Sequence, residues 1–286
     1  MSESRPSTRV LRTRDELHSA LAAAPRPVGL VPTMGWLHDG HRSLIRRARS
    51  DNATTIATIF VNPRQFNEAA DFQRYPRNEA RDLAILREEG VDLVFVPSVE
   101  EIYPSGFDTT VSVGAVARPL EGAARPGHFD GVATVVAILF SLVGAEHAYF
   151  GQKDAQQVMV IRQMARDLAI ATEVIACPTV REPDGLALSS RNVHLTAVQR
   201  AAAPVLRRAL LAARARWEAG ERSADILRAT MAEQLAGEPL ATPAYVSVAD
   251  GRTLAELERV VDGEPVLLSL AVRFGATRLI DNEPIG

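Results

Sequence analysis

Apolar and polar residues alternate in blocks along the first 180 residues, with short apolar segments separated by longer amphipathic ones. The short segments are rich in β-branched and aromatic residues and therefore predict strands. The longer segments carry apolar residues three and four positions apart, which predicts helices. The predicted strands are 28–33, 54–62, 91–98, 147–151 and 172–180, and the predicted helices are 41–50, 77–90, 131–144 and 154–169.

This order of elements predicts an α/β fold. Strands that are apolar throughout and separated by helices are typical of right-handed βαβ units, so we expect a Rossmann-like, doubly wound parallel sheet. Such sheets bind ligands at the carboxyl ends of their strands, where the strand order switches. Segments that directly follow strands are therefore the first places to look for chemistry. One further segment, TTVSVG at 109–114, indicates a local hairpin or an edge strand.

The pattern changes after Val180. A polar loop with Gly and Pro, 181–192, precedes two Ala-rich segments near 196–219 and 222–236, which predict helices. The final stretch, 244–282, predicts a small antiparallel sheet. We therefore expect two domains: a Rossmann-like domain at 1–180, and a smaller C-terminal α+β domain at 181–286.

Composition and charge narrow the class of protein. The chain has 286 residues, of which 47% are hydrophobic and 23% charged, as in ordinary globular proteins. A net charge of −3 provides no basic field for nucleic acid. The longest apolar run, 131–145, is shorter than the ~20 residues of a membrane-spanning helix, and the N-terminal stretch is too polar for a signal peptide. We expect a cytoplasmic protein that binds neither nucleic acid nor a membrane.

The segment PTMGWLHDGH, 32–41, follows the first predicted strand and opens a helix. Glycines allow the backbone to approach a ligand closely, and a helix N-terminus suits a phosphate. His38 and His41 are three residues apart, so one helical turn can aim both imidazoles at charge developing on phosphorus. The alternative is that one histidine caps the helix and the other packs. The coincidence of strand end, glycines, helix start and both histidines favours the phosphate site.

The segment FVNPRQF, 60–66, follows the second predicted strand. Pro63 stops the strand and leaves Asn62 and Gln65 at its carboxyl end. Amide side chains donate and accept hydrogen bonds, which suits a hydroxy acid as ligand. A turn formed by Asn62 and a solvated loop at Gln65 are the alternative interpretations.

The segment FGQKDAQQ, 150–157, contains Lys153, the only lysine among 32 lysine and arginine residues. It follows a predicted strand and begins a predicted helix. Lysine carries a compact charge on a flexible stem, which suits a phosphate that moves during a reaction, whereas arginine presents a wider fork. Gln157 lies one turn further on and can face the same pocket. Asp154 has the alternative role of a helix cap.

The segment LSSR, 188–191, lies in the polar loop at the predicted domain junction. Ser189 and Ser190 supply hydroxyls, and Arg191 supplies a forked cation for phosphate oxygens. A hinge at this junction would let the loop close over a nucleotide. A serine-rich turn with a surface arginine is the alternative.

Six segments occur in an order that closely resembles the pantoate–β-alanine ligase family, within the H-x-G-H nucleotidyltransferase superfamily. They are PTMGWLHDGH, FVNPRQF, YPR at 75–77, RPGHFDGVATVV at 125–136, FGQKDAQQ and PTVREPDGLALSSRN at 178–192. The resemblance implies ATP-dependent ligation of (R)-pantoate and β-alanine to pantothenate through a pantoyl adenylate, with release of AMP and pyrophosphate. It also implies Mg²⁺ and a homodimer, with nucleotide and pantoate bound by domain 1–180 and with domain 181–286 as a lid.

The resemblance further assigns roles to single residues. It implies that the catalytic groups are His38, His41, Lys153 and Arg191. It places ATP against Met34, Gly35, His38, His41, Gly151, Gln152, Lys153, Asp154, Val180, Leu188, Ser189, Ser190 and Arg191. It places pantoate and β-alanine against Pro32, Met34, Asn62, Gln65, Arg125, His128 and Gln157, and magnesium near Asp82.

Three positions depart from the family pattern. Leu188 stands where the family often has Met, Ala155 where an aromatic residue is common, and Arg64 where the residue is usually uncharged. Leucine keeps the volume and apolarity of methionine, whereas the other two affect local packing and pocket electrostatics. Two other functions stay open: another H-x-G-H adenylyltransferase, and a nucleotide-binding regulator without turnover. The regulator would need the ATP groups but not Gln65 and Gln157.

Overall fold

The computed structural model describes residues 8–67 and 69–286. Residues 1–7, which belong to the polar stretch that argues against a signal peptide, lie outside the described residues. Within the described residues, no helix combines the length and the apolarity needed to cross a membrane.

Contacts along the chain form two compact units. The first unit comprises the chain up to Gln152 together with Gln157–Pro178. The second comprises Lys153–Gln156 together with Thr179–Gly286, so the lone lysine is grouped with C-terminal residues. The division into domains 1–180 and 181–286 stays a prediction.

The first unit is built on a six-stranded sheet whose strand pairs are all parallel. The strand order is β1-β4-β3-β2-β5-β6, so the chain winds one way from β2 to β4 and the other way from β5 to β6. The order switches between β2 and β5, and both strands are followed by predicted motifs. The strands are β1 Arg9–Leu11, β2 Val28–Thr33, β3 Thr54–Ile59, β4 Leu93–Phe95, β5 His147–Gly151 and β6 Glu173–Cys177.

Helices connect these strands, and their apolar residues decide how they pack. On α2 the apolar residues Leu44, Ile45 and Ala48 share one face and are buried. The helix α7 is apolar almost all round and is buried along most of its length, ending at Gly144 in the left-handed conformation that glycine favours. The helices are α1 Arg14–Ala22, α2 Asp39–Asp51, α3 Ala69–Arg74, α4 Glu79–Glu88, α5 Val99–Ile102, α6 Glu121–Ala124, α7 His128–Val143 and α8 Ala155–Asp167.

The second unit packs helices on a three-stranded antiparallel sheet of order β7-β8-β9. Alternate residues of β8, such as Leu268 and Leu270, are fully buried in a core shared with α10 and α11. The elements are α9 Ala197–Ala202, α10 Val205–Glu218, α11 Ala224–Ala236, β7 Thr242–Asp250, β8 Val266–Phe274 and β9 Thr277–Ile285.

The α/β fold class, the parallel sheet and the small C-terminal antiparallel sheet are confirmed. Two local predictions are wrong. Segment 109–114 forms no strand, and the N–H of Val111 donates to the Thr134 hydroxyl at 2.9 Å instead of to a neighbouring strand. The predicted helix 196–219 is two helices, because Pro204 interrupts it.

Candidate functional site

A buried carboxylate holds the loop between β2 and α2. Asp82 is 1% exposed, and its two oxygens accept hydrogen bonds from the backbone N–H groups of Trp36 (2.7 Å) and Leu37 (2.8 Å). Gly35 has a φ of 79°, and a Cβ there would lie 2.9 Å from Asp82 Oδ2, so glycine is required for this approach. Arg81 donates to the Leu37 carbonyl at 2.8 Å and stacks over the Trp36 ring. The H-x-G-H loop therefore has a preset shape.

This geometry revises the interpretation of Asp82. Magnesium prefers carboxylate oxygens, but both oxygens of Asp82 are engaged by backbone N–H groups. Across residues 8–67 and 69–286, no group of three His, Cys, Asp or Glu side chains is arranged to hold a metal ion. We assign Asp82 to holding the loop, and its magnesium contact stays a prediction without support from the geometry.

The two histidines of the loop cap helix α2 reciprocally. Nδ1 of His38 accepts a hydrogen bond from the Gly40 N–H at 3.1 Å, and the His38 N–H donates to Nδ1 of His41 at 3.3 Å. Their ring centroids are 4.1 Å apart. A neutral imidazole whose Nδ1 accepts a hydrogen bond carries its proton on Nε2. Capping and phosphate binding are therefore compatible, because the caps use Nδ1 and leave both rings as Nε2–H tautomers.

Glu89 ties α2 to α4. Its carboxylate accepts hydrogen bonds from Arg42 at 2.6 Å and from Arg46 at 2.7 and 2.8 Å. The hydrogen bonds from Arg46 make the largest contribution, and together with that from Arg42 they hold the pKa of Glu89 below its usual value. Burial acts in the opposite direction. Because α2 begins at the capping histidines, Glu89 helps to fix the helix that carries them.

Asn62 organises the turn after β3, where Pro63–Gln65 form one 3₁₀ turn. The Asn62 side chain is 1% exposed, and its Nδ2 donates to Gln65 Oε1 and to the Gly131 carbonyl, both at 3.0 Å. Its Oδ1 accepts from the Arg64 N–H at 3.2 Å and from the Tyr103 hydroxyl at 2.7 Å. With its amide saturated by the protein, Asn62 positions Gln65. Direct contact between Asn62 and substrate stays a prediction without support from this geometry.

Gln65 therefore has a defined amide orientation. Its Oε1 faces Asn62, and its Nε2 lies 3.1 Å from the sulfur of Met34. The sulfur is a weak acceptor, so the Gln65 amide presents its N–H donors on the side of Met34. Gln65 is 9% exposed, and these two predicted substrate residues are in contact.

His128 and Arg125 hold the backbone of Gln65. The Gln65 carbonyl lies 2.8 Å from His128 Nδ1 and accepts from Arg125 Nη2 at 3.2 Å. A carbonyl can only accept, so His128 carries its proton on Nδ1, and its Nε2 accepts from Arg125 Nη1 at 3.0 Å. The structure brings both residues to the Gln65 turn, where they support its backbone, and their contact with substrate stays a prediction.

Two further residues of this cluster escape sequence reasoning. A Cβ at Gly131 would lie 2.2 Å from the Arg64 carbonyl oxygen, so α7 reaches the turn only because this residue is glycine. A glycine inside an apolar helix was the available signal. Tyr103, whose hydroxyl orients Asn62, has its pKa raised by burial.

Arg64, the charged departure from the family pattern, packs beside this cluster. Its guanidinium lies 5.4 Å from the ring centroid of Tyr103 and 5.1 Å from that of Phe107. It also donates to the Thr109 carbonyl and the Thr110 hydroxyl. The extra charge thus stacks on Tyr103 and supports the residue that orients Asn62.

In the second unit, Lys153 lines a small cavity with Ser189. Its side chain is 15% exposed, and its ammonium lies 3.3 Å from a carboxylate oxygen of Asp154. The cavity is lined by Lys153, Leu186, Ala187, Ser189, Asn192, Leu206, Leu279, Ile280 and Asp281.

The LSSR segment forms a 3₁₀ turn. Ser189 caps the turn Ser190–His194 by accepting from the Arg191 N–H at 3.3 Å. Leu188 donates its N–H to the Val180 carbonyl at 3.0 Å, which closes the polar loop. The guanidinium of Arg191 makes no hydrogen bond or ion pair with any residue the structure describes.

The other predicted residues lie where strands end. Pro32 belongs to β2, Gly151 ends β5, Gln152 begins the 3₁₀ turn Gln152–Asp154, and Gln157 lies in the first turn of α8. Ala155, the small departure from the family, is buried at the start of that helix.

The sheet is parallel and doubly wound, and the histidines of an H-x-G-H segment cap the helix that follows β2. These two features define the class of H-x-G-H nucleotidyltransferases. A family model described as pantoate-beta-alanine ligase matches residues 9–284. The chain belongs to the pantoate–β-alanine ligase family.

Relatives and solved structures agree with this assignment. The pantothenate synthetases of Roseiflexus castenholzii and Chloroflexus aggregans are each 59% identical to the chain over 96% of its length and 98% of theirs. A pantothenate synthetase structure from Thermus thermophilus is 49% identical, with a TM-score of 0.91 over 96% of this chain and 98% of that one. The Francisella tularensis pantoate-beta-alanine ligase, complexed with beta-gamma ATP and beta-alanine, is 35% identical, with a TM-score of 0.79 over 97% of both chains.

Proposed function

We propose that this chain catalyses the ATP-dependent ligation of (R)-pantoate and β-alanine to pantothenate, through a pantoyl adenylate, with release of AMP and pyrophosphate. The observation that carries the proposal is the pair of backbone N–H···Nδ1 hydrogen bonds made by His38 and His41. Both Nδ1 atoms accept backbone N–H groups, so His38 and His41 carry Nε2–H donors. Two donors in adjacent rings suit the oxygens of a phosphate that gains charge during transfer.

The amide of Gln65 is the proposed anchor for pantoate. Its Oε1 is held by Asn62, and its Nε2 has the weakly accepting sulfur of Met34 beside it, so Nε2 is the proposed donor to a carboxylate or hydroxyl oxygen of the hydroxy acid. Arg125 and His128 keep the Gln65 backbone in place. Pro32, Met34 and Gln157 complete the proposed set for pantoate and β-alanine by resemblance to the family.

In the second unit, Lys153, Ser189, Ser190 and Arg191 are the proposed phosphate-binding groups. Lys153 is only 15% exposed, and its cavity also contains Ser189. An ammonium and a guanidinium that face few protein acceptors bind phosphate oxygens strongly. Met34, Gly35, Gly151, Gln152, Asp154, Val180 and Leu188 are the further residues proposed to contact ATP.

Mg²⁺ is proposed to arrive with the nucleotide. The described residues offer no group of three side chains that could hold a metal, and the oxygens of Asp82 are engaged. Magnesium commonly retains waters and binds through substrate phosphates. The phosphates of ATP would then be its main ligands.

The reaction has two steps. A carboxylate oxygen of pantoate attacks the α-phosphorus of ATP, the bond to the bridging oxygen breaks, and pyrophosphate leaves. The amine of β-alanine then attacks the acyl carbon of the adenylate, loses a proton and expels AMP. No protein nucleophile is needed, so the protein contributes positioning and charge stabilisation.

Two features of the wider setting complete the proposal. We propose a homodimer by resemblance to the family, together with the cytoplasmic location expected from the sequence. The two alternatives, another adenylyltransferase and a regulator without turnover, lack support from a specific observation. The Gln65 cluster favours the ligase, because neither alternative needs a positioned hydroxy-acid anchor.

Pyrophosphate exchange tests the proposal. Labelled pyrophosphate should enter ATP only when pantoate and Mg²⁺ are present, and AMP should accumulate only when β-alanine is added as well. Omitting each substrate in turn provides the controls. An absence of pantoate-dependent exchange would overturn the ligase, and ATP binding without any AMP would favour a regulator.

A further inference from the structure

The last strand of the chain reaches the segment that contains the lone lysine. Asn282 on β9 is 4% exposed, and its Nδ2 donates to the Lys153 carbonyl at 2.9 Å. These residues are 129 positions apart in sequence. Lys153 belongs to a three-residue 3₁₀ turn, and such short turns have poorer hydrogen-bond geometry than an α-helix. The buried hydrogen bond from the Asn282 side chain to the Lys153 carbonyl therefore adds a substantial constraint on the backbone position from which the lysine side chain extends.

The neighbouring residue of β9 fixes the other proposed phosphate-binding segment. Asp281 accepts two hydrogen bonds from Arg181, at 2.6 and 2.9 Å, and its side chain is 1% exposed. Arg181 also donates to the Gly185 carbonyl at 3.1 Å and forms a β-bridge with Ala187. The loop that leads into the LSSR turn is thus anchored on β9 by a bidentate ion pair whose carboxylate is buried.

Alternation along the strand explains how adjacent residues serve two segments. Asp281 is paired with Leu270, which belongs to the helix-facing core, whereas Asn282 is paired with Ser269 on the opposite face of the sheet. Asp281 is also among the residues that line the cavity of Lys153 and Ser189. Because Arg181 takes both of its oxygens, this carboxylate does not compete for the lysine ammonium.

We infer that Asn282 is a positioning residue that sets the placement of Lys153 for phosphate binding, with the Asp281–Arg181 pair holding the neighbouring loop on the same strand. The inference rests on the proposed function, because it gives Lys153 a phosphate to stabilise. Asn282 itself contacts no substrate in this account. Its loss should therefore lower turnover in adenylate formation and leave the affinity for pantoate unchanged.

Asn282→Ala removes the donor, and Asn282→Asp replaces it with an oxygen of nearly the same size. Ser269→Ala is the matched control, because Ser269 faces Asn282 across the sheet and its buried Oγ has no hydrogen-bond partner within the described residues. We expect both Asn282 variants to lose at least ~10-fold in kcat of pantoate-dependent exchange, or about 1.4 kcal/mol in the barrier. The KM for pantoate should stay within about twofold, and Ser269→Ala should match the wild type.

A second readout follows the lysine itself without any need for activity. Since Lys153 is the only lysine, acetylation by an N-hydroxysuccinimide ester, located by mass spectrometry, reports its accessibility in the intact protein. We expect acetylation of Lys153 to be at least ~3-fold faster in Asn282→Ala than in wild type and Ser269→Ala, because a lysine released from its anchor is less confined.

The outcomes separate the two proposals. If the wild type shows no pantoate-dependent exchange, the proposed function fails, whereas the acetylation rates still test the anchor. If the wild type turns over and both Asn282 variants retain its kcat, the inference is overturned. It is also overturned if kcat falls only together with a raised KM for pantoate and a lowered melting temperature. Should Asn282→Ala fail to fold, Asn282→Asp carries the same test.

Discussion

The cluster around Gln65 in the first unit and the LSSR turn in the second differ in how many hydrogen bonds hold their polar side chains. In the first unit, Asn62, Gln65 and His128 are at most 9% exposed and are bonded to one another and to the backbone. In the second unit, Arg191 projects from a short 3₁₀ turn and its guanidinium has no partner among the described residues. In the first region hydrogen bonds fix the polar side chains themselves. In the second region the Asn282 and Asp281 contacts hold the chain, whereas the Arg191 side chain relies on charge.

The difference follows from what each region is proposed to bind. A small hydroxy acid offers few contacts, so it is recognised by donors whose directions are fixed beforehand. A triphosphate carries several charges and changes shape during transfer, so cations on long side chains can follow it. Variants of the first region should therefore change the affinity for pantoate, and variants of the second should change turnover.

Gly131→Ala should have the largest effect. Its Cβ would lie 2.2 Å from the Arg64 carbonyl oxygen, so α7 and the Gln65 turn must move apart. We expect kcat/KM for pantoate to fall at least ~100-fold, or about 2.7 kcal/mol, with a loss of stability of about 1–3 kcal/mol from overpacking. Steady-state kinetics and urea unfolding measure the two effects.

Gly237→Ala is the control for that substitution. A Cβ there would lie 3.5 Å from the nearest backbone atom, an ordinary contact, and the φ of −71° suits alanine. It should leave both quantities unchanged. If Gly131→Ala kept kcat/KM within threefold of the wild type, the turn would not be the rigid element described above.

Lys153→Arg should have the next largest effect, because it keeps the charge and changes its shape. A guanidinium is wider than an ammonium, and the side chain of Lys153 is largely enclosed at 15% exposure. We expect kcat for pyrophosphate exchange to fall ~30-fold, or about 2 kcal/mol, with KM for pantoate unchanged. Arg200→Lys, in an exposed pair with Asp184, is the control that should retain full activity. Near-wild-type turnover in Lys153→Arg would show that charge alone suffices at position 153.

Tyr103→Phe removes a single oxygen atom and tests whether the orientation of the Gln65 amide must be fixed. The variant removes the 2.7 Å hydrogen bond to Asn62 and keeps the ring under Arg64. We expect KM for pantoate to rise ~5–10-fold, about 1–1.4 kcal/mol, because the orientation of Gln65 becomes less defined. Tyr149→Phe removes a comparable buried hydroxyl, bonded to Asn52 and Asp51, and should leave this KM unchanged. Equal KM values for the two variants would contradict the role of Tyr103.

Sequence patterns predicted the parts of the molecule that depend on local order. The strand periodicity placed β2, β3 and β5, and the residues after each strand proved to be the loop and turn described above. The H-x-G-H spacing predicted a helix start with two converging rings, because residues three apart share a helix face. These features depend on neighbours in sequence.

Contacts between distant residues lay beyond that reasoning. Asn282 reaches Lys153 across 129 positions, and Tyr103 reaches Asn62 across 41. The family resemblance placed Asp82 near magnesium, and the alternative was an exposed carboxylate on a helix. The side chain is in fact buried and accepts hydrogen bonds from backbone N–H groups, which the residue types of its partners do not predict. Roles that depend on such pairings require the fold.

Glu89→Gln should have the smallest effect on catalysis, because it changes only the contact between α2 and α4. The folded-state pKa of Glu89 lies below the ordinary 4.5, through hydrogen bonds from Arg46 and Arg42 against the effect of burial. The folded protein thus binds this proton more weakly than the unfolded chain. The stabilisation is fully present above pH 4.5 and is lost as the pH falls through the lower, folded value.

Replacing the carboxylate should therefore lower the free energy of unfolding at pH 7 by about 1 kcal/mol, a value limited by the solvent around Arg46. It should also flatten the acid limb of the stability curve, since the variant has no proton to take up at this site. Urea unfolding at pH 7 and between pH 3 and 5 measures both. Glu88→Gln, one residue earlier and 66% exposed on the same Arg42, should change stability by less than ~0.5 kcal/mol. Kinetic constants should match the wild type in both variants, because the caps of His38 and His41 do not involve Glu89. A raised KM for pantoate in Glu89→Gln would mean that the first region depends on the contact between α2 and α4 as well as on its own hydrogen bonds.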